Sequence, residues 1–445
     1  MKITNSASTA GLFVITQCLI AAFFVFAAGS LQLAHAQFSS SDRDRGRSML
    51  RSVKLQIQEN YYDPTFHGMD LDARFKLADE SLKNAKSNSE VFGIIGQAVV
   101  DLNDSHTFFI PPRRASRTEY GWQMQIIGSR CFIISVKPKS DAEVKGLLVG
   151  DEVLALNGYE PTRENLWKMK YTYYTLKPQA GMVLEVQSPG GQPRELTVMA
   201  KVSLRKRLLK DSDLMQFTWE ADREAYLSRH RFYDDVGDVF IWKMPQFDLS
   251  DIEVDNMMGK VGKRRALILD LRGNGGGLIT TLQRMIGNIF DHDIKIGDLK
   301  RRKKTETLMA KTRGDKAFKG QIIVLVDSES GSASELFARV VQLEKRGIVL
   351  GDLTAGAVME SSIFVKQYET ETYVVFATSI TDADVIMTDG QSLEHVGVTP
   401  DQKLLANGVA LATAQDPVMS IAAAKLGLKL DPKKAGALFP TEWER

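Results

Sequence analysis

The sequence predicts a mixed α/β protein that begins with helices, continues as a small β-rich module and ends in a region of alternating strands and helices. Apolar residues recur at helical spacing from Met49 to Leu102. Short β-like runs alternate with turns between residues 115 and 203. In the C-terminal half, buried strand-like runs lead twice through polar, glycine-containing loops into helices. These patterns indicate a chain built from several units.

The start of the chain has the features of an export signal. Lys2 supplies a positive charge, residues 11–28 are apolar, and Ala34-His35-Ala36 is a small-x-small cleavage site. We therefore predict a signal peptide over residues 1–36 and a periplasmic or extracellular protein. The alternative is a signal anchor that holds the protein at the membrane, because the apolar region is almost long enough to span a bilayer. No later stretch is long and apolar enough to do so.

Composition narrows the possible functions. The net charge of +2 is too small to suggest a protein that binds nucleic acid. Cys131 is the one cysteine beyond residue 36, so we expect no internal disulfide in the mature monomer. The basic run at residues 300–304 is interpreted as a solvated turn or strand edge, with contact to anionic lipid or wall polymer as the lesser alternative.

The first predicted unit, residues 37–113, is helical and ends in a polar run. Residues 49–61 and 91–102 each place apolar side chains on one helix face. Asp104, Ser105, His106 and Thr107 follow the second helix. A histidine just past a helix end is free to reach another part of the fold, although most lone histidines are surface residues.

The second predicted unit, residues 114–203, consists of short strands. Residues 140–158 resemble the middle motif of PDZ domains, and Tyr120-Gly121-Trp122-Gln123-Met124 corresponds to the loop that holds a peptide carboxylate. That resemblance implies that Gly121, Trp122, Gln123 and Met124 bind an extended peptide end through backbone N–H groups. Trp122 replaces the small aliphatic residue usual there. A structural β-domain without a ligand is the alternative.

The third predicted unit, residues 204–445, begins with a charged connector containing some helix, up to residue 236. A buried strand, Ala266–Asp270, then leads into a loop with Gly273, Gly275, Gly276 and Gly277. Leu278 stands where a dinucleotide loop has its third glycine, and no Gly-Lys-Ser/Thr is present, so nucleotide binding is not indicated. Such a loop can instead present N–H groups beside a reactive serine.

A second strand, Ile322–Val326, leads to a helix that begins at Ser332. Ser332 and Glu335 form a capping-box pattern. A serine at the N-terminus of a helix is also well placed for nucleophilic catalysis, because N–H groups and the helix dipole stabilise a nearby oxyanion. On these residues alone, a serine that only caps its helix remains an alternative.

The remaining pattern predicts strands at Ser362–Val365 and Tyr373–Ala377, a turn-rich acidic loop at residues 389–401, and a C-terminal helix near residues 416–426. Asp291-His292-Asp293 lacks the spacing of a known metal site. We therefore expect neither a metal nor a cofactor.

The ordered motifs of the chain resemble those of the C-terminal processing (tail-specific) serine proteases and their tricorn-like relatives. The matching phrases are Asn60–Asp63, Leu102–Thr107, the PDZ-like unit, Asp270–Gly276, Gly331–Glu335 and Glu394–Asp401. The resemblance spans nearly the whole chain after residue 36. It implies a protease core of stacked sheet and helices, ClpP/crotonase-like in class, with an N-terminal helical segment and an inserted PDZ domain.

The resemblance also implies roles for individual residues. Ser332 is the nucleophile, and its own N–H or that of Ala333 forms the oxyanion hole with Gly275 or Gly276. The best-known branch of the family activates its serine with a lysine, but Ala357 stands at that position here. A Ser–Lys dyad is therefore not expected.

The tricorn-like branch uses a histidine from a Ser-His pair together with a glutamate, and this chain has Ser105-His106 and Glu394. The chemistry is coherent, since a serine hydroxyl needs a nearby base and a carboxylate can orient an imidazole. The assignment of Glu394 has rivals in Asp104, Glu335 and Asp389.

The predicted function is that of an exported serine endopeptidase that cuts protein or peptide chains through an acyl-enzyme. The PDZ domain would recruit or gate the substrate, in some cases by binding the C-terminus of the substrate. The alternative is an inactive binder of a hydrophobic ligand or a partner, because retinoid-binding relatives keep the fold without catalysis. The substrate and the oligomeric state are not predicted.

Overall fold

The computed structural model describes residues 38–204, 231–368, 374–440 and 443, with the backbone alone given for 231–236. The predicted signal peptide and residues 205–230 of the predicted connector lie outside these described residues. Within the described ranges, no helix combines the length and the apolar character needed to cross a membrane.

The N-terminal helices form a layer against a sheet of the larger region. They are α1 (Ser40–Asn60), α2 (Leu71–Leu82) and α3 (Asn88–Val100). Side chains of Ser39, Asp70 and Ser87 cap the three helix starts by accepting backbone N–H groups. Their apolar faces pack together in one cluster that also holds aromatic side chains of two sheet strands. The helical periodicity read from the sequence is thus confirmed, and α2 is an additional helix.

Residues 108–204 form β1 and then a small antiparallel module. The elements are β1 (Phe108–Ile110), β2 (Ser116–Glu119), β3 (Trp122–Ile127), β4 (Arg130–Val136), α4 (Asp141–Val144), β5 (Glu152–Leu156), α5 (Leu166–Lys170), β6 (Gly181–Gln187), β7 (Pro193–Met199) and β8 (Lys201–Leu204). Strands β3 to β7 pair in sequence order, and β2 pairs with β8. A π-helical turn, Tyr171–Leu176, continues α5. The short β-like runs predicted between residues 115 and 203 are present as strands.

The larger region contains two sheets. Its elements are β9 (Arg231–Val236), β10 (Val239–Lys243), α6 (Asp251–Val261), β11 (Ala266–Asp270), α7 (Ile279–Gly287), β12 (Ile294–Arg301), β13 (Thr305–Ala310), β14 (Gln321–Val326), α8 (Ala333–Leu343), β15 (Ile348–Gly351), β16 (Met359–Tyr368), β17 (Val374–Met387), β18 (Gln402–Lys403), α9 (Gly408–Ala412), α10 (Pro417–Lys425) and α11 (Pro432–Ala437). The strand β9 lies in the range where we expected a connector with some helix, so that expectation is wrong for residues 231–236. Pairing with β10 explains the strand.

The first sheet is mostly parallel and carries the buried strands predicted from the sequence. Its order is β18-β15-β14-β11-β10-β9, with only the β9–β10 pair antiparallel. Apolar side chains cover both faces of β11 and β14, which are buried along nearly their whole lengths. This is the expected burial of parallel strands, which are covered on both faces.

The second sheet is antiparallel and brings distant parts of the chain together. The long strand β17 pairs with β16, β12 and β1, and β12 pairs with β13. Because β1 follows the N-terminal helices, this pairing holds the segment just before it, residues 104–107, against the larger region. The sequence prediction found only part of β16 and β17.

The basic run predicted as a turn or strand edge joins β12 to β13, which confirms that interpretation. Arg301, at its start, does more than face solvent. Its guanidinium bonds Glu306 at 2.8 Å, Asp382 at 2.8 Å and Glu360 at 2.9 Å. These carboxylates lie on or beside three strands, so Arg301 links β13, β16 and β17.

We predict that Arg301→Gln lowers the free energy of unfolding by about 1–2 kcal/mol, because a networked guanidinium contributes more than an isolated surface pair. Lys303→Gln, in the same run but exposed, should change it by less than about 0.5 kcal/mol. Urea titration followed by circular dichroism measures both. Equal effects of the two changes would contradict a special role for Arg301.

Candidate active site

The predicted nucleophile and the glycine loop meet because β11 and β14 are adjacent parallel strands. The carboxyl ends of such strands lie at the same edge of a sheet, so the segments that follow them come together. Asn274 fastens the two segments. Its backbone carbonyl accepts the Gly331 N–H at 2.9 Å and the Ser334 hydroxyl at 2.8 Å, while its side-chain amide donates to the Met244 carbonyl at 2.8 Å.

Ser332 lies at the N-terminus of α8 in a strained backbone conformation, with φ 52° and ψ −119°. A residue with a side chain rarely adopts positive φ, and such residues cluster at functional sites. Gly276 approaches this turn so closely that a Cβ placed there would lie 2.5 Å from the Ser332 Cβ. Only glycine fits at this point of the loop.

A continuous line of hydrogen bonds runs from Ser332 to Glu394. The Ser332 hydroxyl lies 3.3 Å from His106 Nε2. His106 Nδ1 lies 2.8 Å from the Ser105 hydroxyl, which in turn donates to Glu394 Oε2 at 2.8 Å. The structure thus brings together the four residues that the sequence analysis singled out as catalytic.

The single proton of the Ser105 hydroxyl determines the tautomer of His106. Because that proton is donated to Glu394, the Ser105 oxygen must accept from His106 Nδ1–H. Nε2 is then left without a proton and faces the Ser332 hydroxyl. This is the tautomer in which an imidazole can remove a proton from serine.

Asp104 positions the segment that carries His106. Its buried carboxylate accepts the N–H groups of His106 at 2.8 Å and Thr107 at 3.0 Å. It also accepts the hydroxyls of Tyr61 at 2.9 Å and Thr381 at 2.6 Å. Asp104 therefore ties the segment to α1 and β17, and it does not lie in the line of hydrogen bonds to Ser332.

Burial shifts the pKa values of the two titratable side chains in this line of hydrogen bonds, His106 and Glu394. Removal from water disfavours the imidazolium ion and lowers the pKa of His106 below its usual 6.5, and the nearby Asp104 charge opposes this shift. Burial also raises the pKa of Glu394, while N–H donors from Ser105 at 2.9 Å and Val358 at 2.8 Å stabilise its ionised form. A neutral His106 at neutral pH is the state that a general base needs.

Glu335 lies directly beneath the Ser332 turn and is completely buried. Its Oε2 accepts the N–H groups of Ser332 at 3.0 Å and Ala357 at 2.9 Å. Its Oε1 accepts the Gly356 N–H at 2.8 Å and the Thr354 hydroxyl. Of the capping box predicted from Ser332 and Glu335, the hydrogen bond from the Ser332 N–H to the Glu335 carboxylate is present, but the carboxylate does more than cap the helix.

The predicted oxyanion-hole residues surround the Ser332 side chain, but some of their N–H groups already donate to other acceptors. The Gly276 N–H is donated to the Asn274 side chain at 2.9 Å, and the Ser332 N–H to the Ala357 carbonyl at 2.8 Å. Among the described residues, the N–H groups of Gly275 and Ala333 have no hydrogen-bond acceptor. These two donors are free to receive a developing negative charge.

The predicted peptide-binding residues lie at the start of β3. The side chains of Trp122 and Met124 fill the core of the β-module, so only their backbone is available to a ligand, whereas Gln123 is exposed. Gly121 has the positive φ of 75° that a tight loop requires.

The outer side of β3 contacts the loop that precedes Ser332. The Gln125 side chain donates to Asp327 at 2.6 Å, and the Ser328 hydroxyl donates to the Ile126 carbonyl. Asp327 also accepts the Gly273 N–H at 2.9 Å. The β-module is thereby connected to both loops of the site, a link that no sequence motif signalled.

The remaining candidates lie away from the line of hydrogen bonds. Asp389 pairs with Arg339, and Asp291 with His292 on the exposed surface. Within the described ranges, no group of three or more histidine, cysteine, aspartate or glutamate residues could hold a metal ion.

Comparisons with known proteins show which families and folds the chain resembles. The sequence profile of peptidase family S41 matches residues 238–404. The chain is 24% identical over 351 residues to a tail-specific protease of Haemophilus influenzae, covering 74% of this chain and 48% of that protein. It is 23% identical over 345 residues to a probable CtpA-like serine protease of Staphylococcus saprophyticus, covering 74% of this chain and 63% of the relative.

The fold has a counterpart among solved structures. A crystal structure of mature CPAF superimposes with a TM-score of 0.62 at 15% identity, covering 83% of this chain and 94% of that one. The chain spans about half to two thirds of the length of the two sequence relatives named above. The chain is therefore similar to peptidase family S41 over residues 238–404, and to tail-specific and CtpA-like serine proteases over 74% of its length.

Proposed function

We propose that the protein is an exported serine endopeptidase in which Ser332 attacks the substrate and His106 acts as the base. The observation that carries the proposal is the continuous line of hydrogen bonds from Ser332 through His106 and Ser105 to Glu394. A hydroxyl placed 3.3 Å from an unprotonated, partly buried imidazole nitrogen is arranged for nucleophilic catalysis, and such contacts tighten when substrate binds.

In the first half of the reaction, the Ser332 oxygen forms a bond to the carbonyl carbon of the scissile peptide. The hydroxyl proton moves to His106 Nε2, and the carbonyl oxygen becomes an oxyanion that accepts the N–H groups of Gly275 and Ala333. The carbon–nitrogen bond then breaks. The departing amine takes the proton from His106, and an ester to Ser332 remains.

In the second half, a water molecule gives its proton to His106 and attacks the ester carbonyl. The ester bond breaks, His106 returns the proton to the Ser332 oxygen, and the acid product leaves. The Ser105 hydroxyl and the Glu394 carboxylate stabilise the transient imidazolium, because Nδ1–H points at this pair throughout. Ser105 thus relays the effect of a carboxylate that does not touch the imidazole itself.

We further propose that the β-module is a PDZ domain that recruits or gates substrate, in some cases by its C-terminus. The contacts of Gln125 with Asp327 and of Ser328 with Ile126 support a gating role, because they join β3 to the loop that leads into Ser332. Export remains a proposal based on the signal-like residues 1–36. An inactive binding protein is not favoured, since a binder has no need of the Ser332–His106 pair together with free N–H donors.

Labelling with a fluorophosphonate probe tests the proposal. Wild-type protein should label on Ser332, Ser332→Ala should not label, and His106→Ala and Ser105→Ala should label at least about 100-fold more slowly because the base or its orientation is lost. Gel fluorescence over time gives the rates, with circular dichroism as the control for folding. Folded wild-type protein that neither labels nor cleaves unfolded protein substrates would overturn the proposed function.

The rate of labelling should fall as the pH is lowered. His106 must be neutral to act as a base, and its pKa is lowered by burial, so the imidazole itself remains competent to below pH 6.5 and is lost on further acidification. Stopped-time labelling between about pH 8 and about pH 5 measures the profile. A rate that stays constant down to the pH at which the protein unfolds would contradict a histidine base.

Two glycine substitutions in one loop separate close approach from backbone strain. Gly276→Ala would place a Cβ 2.5 Å from the Ser332 Cβ and should slow labelling by about 100-fold, because the nucleophile must shift. Gly273 also has positive φ, but a Cβ there meets no atom within 4 Å. Gly273→Ala should therefore cost about 1 kcal/mol of stability and leave labelling nearly unchanged. Equal labelling rates of the two variants would count against this geometry.

A further inference from the structure

Glu335 has a hydrogen-bonding pattern that only an ionised carboxylate satisfies. Four donors point at its two oxygens: the N–H groups of Ser332, Gly356 and Ala357 and the hydroxyl of Thr354. A protonated carboxyl would direct its own hydrogen at one of these donors. Burial raises the pKa of Glu335 to about 7, and the four hydrogen bonds oppose that shift.

A helix cap alone does not require such a costly buried charge. The chain has a full capping box at α6, where Glu253 makes the same contact with the residue before its helix: it accepts the Ser250 N–H at 2.8 Å, and it is exposed to solvent. Burying a carboxylate without a positive partner costs free energy that the exposed cap avoids. The contacts of Glu335 therefore point to a role beyond capping.

The position of Ser332 depends on Glu335 through two routes. The Ser332 N–H is shared between Glu335 Oε2 at 3.0 Å and the Ala357 carbonyl at 2.8 Å. Ala357 is itself held by Glu335 through its N–H. One acceptor of the Ser332 N–H is therefore the Glu335 carboxylate itself, and the other acceptor, the Ala357 carbonyl, belongs to a residue that the same carboxylate holds in place.

One short segment also connects Glu335 to the line of hydrogen bonds. The consecutive N–H groups of Gly356 and Ala357 bond Glu335, and that of Val358 bonds Glu394 at 2.8 Å. A three-residue segment is short and has little freedom when each of its N–H groups is occupied. It therefore sets the separation between the nucleophile turn and the carboxylate at the end of the line.

We propose that Glu335 is a positioning residue for Ser332, whose ionised carboxylate holds the backbone turn of the nucleophile in register with Glu394. It contacts neither the substrate nor the reacting atoms. This inference rests on the proposed function, because it assigns a role in the same reaction. It predicts that loss of the carboxylate slows the chemical step more than it weakens binding or lowers stability.

The ionisable groups around Glu335 are few. Residues 354–358 contain none. On the same helix lies Arg339, which forms an ion pair with Asp389. The segment after β17 contributes Glu394 and His395, and the segment before β1 contributes Asp104 and His106.

The main test compares Glu335→Gln with Glu253→Gln. Glutamine has one acceptor oxygen, so at least one pair of donors at position 335 loses its partner. Kinetics of fluorophosphonate inactivation should show a maximal rate about tenfold to 100-fold lower for Glu335→Gln, with little change in the half-saturating probe concentration. Glu253→Gln alters the matched cap at α6 and should inactivate at the wild-type rate.

A second measurement decides the question if Glu335→Gln does not fold. Thr354→Val removes one donor to Glu335 Oε1 and so makes its ionised form less stable. If ionised Glu335 positions the serine, the acid limb of the labelling profile should move to higher pH in this variant, since activity requires the charged form. An acid limb identical to that of the wild type would overturn the proposal.

The outcomes separate this inference from the proposed function. Wild-type protein that does not label at all would sink the proposed function itself. Wild-type protein that labels, together with folded Glu335→Gln that inactivates at an unchanged maximal rate, would overturn only the positioning role. A lower melting temperature of Glu335→Gln with unchanged inactivation kinetics would show that Glu335 only caps its helix, and this result would also overturn the positioning role.

Discussion

The site depends on the pairing of buried carboxylates with backbone N–H groups. Asp104, Glu335 and Glu394 each accept at least two N–H groups, and each does so at a junction between distant segments of the chain. A carboxylate removed from water needs such donors, and buried loop backbone needs acceptors. The loops at this edge of the parallel sheet are therefore ordered by their mutual hydrogen-bonding requirements.

This arrangement explains how the chain manages without the lysine of its better-known relatives. Position 357 is alanine, and its backbone takes on a structural task by accepting the Ser332 N–H and donating to Glu335. In the proposed mechanism the base comes instead from the N-terminal segment, where the Ser105 hydroxyl lies between His106 and the Glu394 carboxylate.

The sequence was sufficient to predict the catalytic candidates and most of the strands around them. Ser332, His106, Ser105 and Glu394 were found because short motifs carry the resemblance, and β11 and β14 because their buried runs are continuous. The sequence could not reveal that Gly276 donates to Asn274, or that Gln125 reaches Asp327. Such contacts join residues far apart in the chain through side-chain geometry, and no local periodicity encodes them. The long strand β17 was underestimated because its polar and apolar residues do not alternate regularly.

The wide separation of the catalytic residues along the chain has a consequence for biosynthesis. Ser105 and Glu394 are 289 positions apart, and His106 and Ser332 are 226 positions apart. Contacts of such long range form late, because the intervening chain must first be ordered. A nascent, unfolded or truncated polypeptide therefore carries Ser332 as an ordinary, unreactive hydroxyl. On the proposed mechanism, completion of folding is itself the activating event, because only the folded chain brings His106 within reach of Ser332.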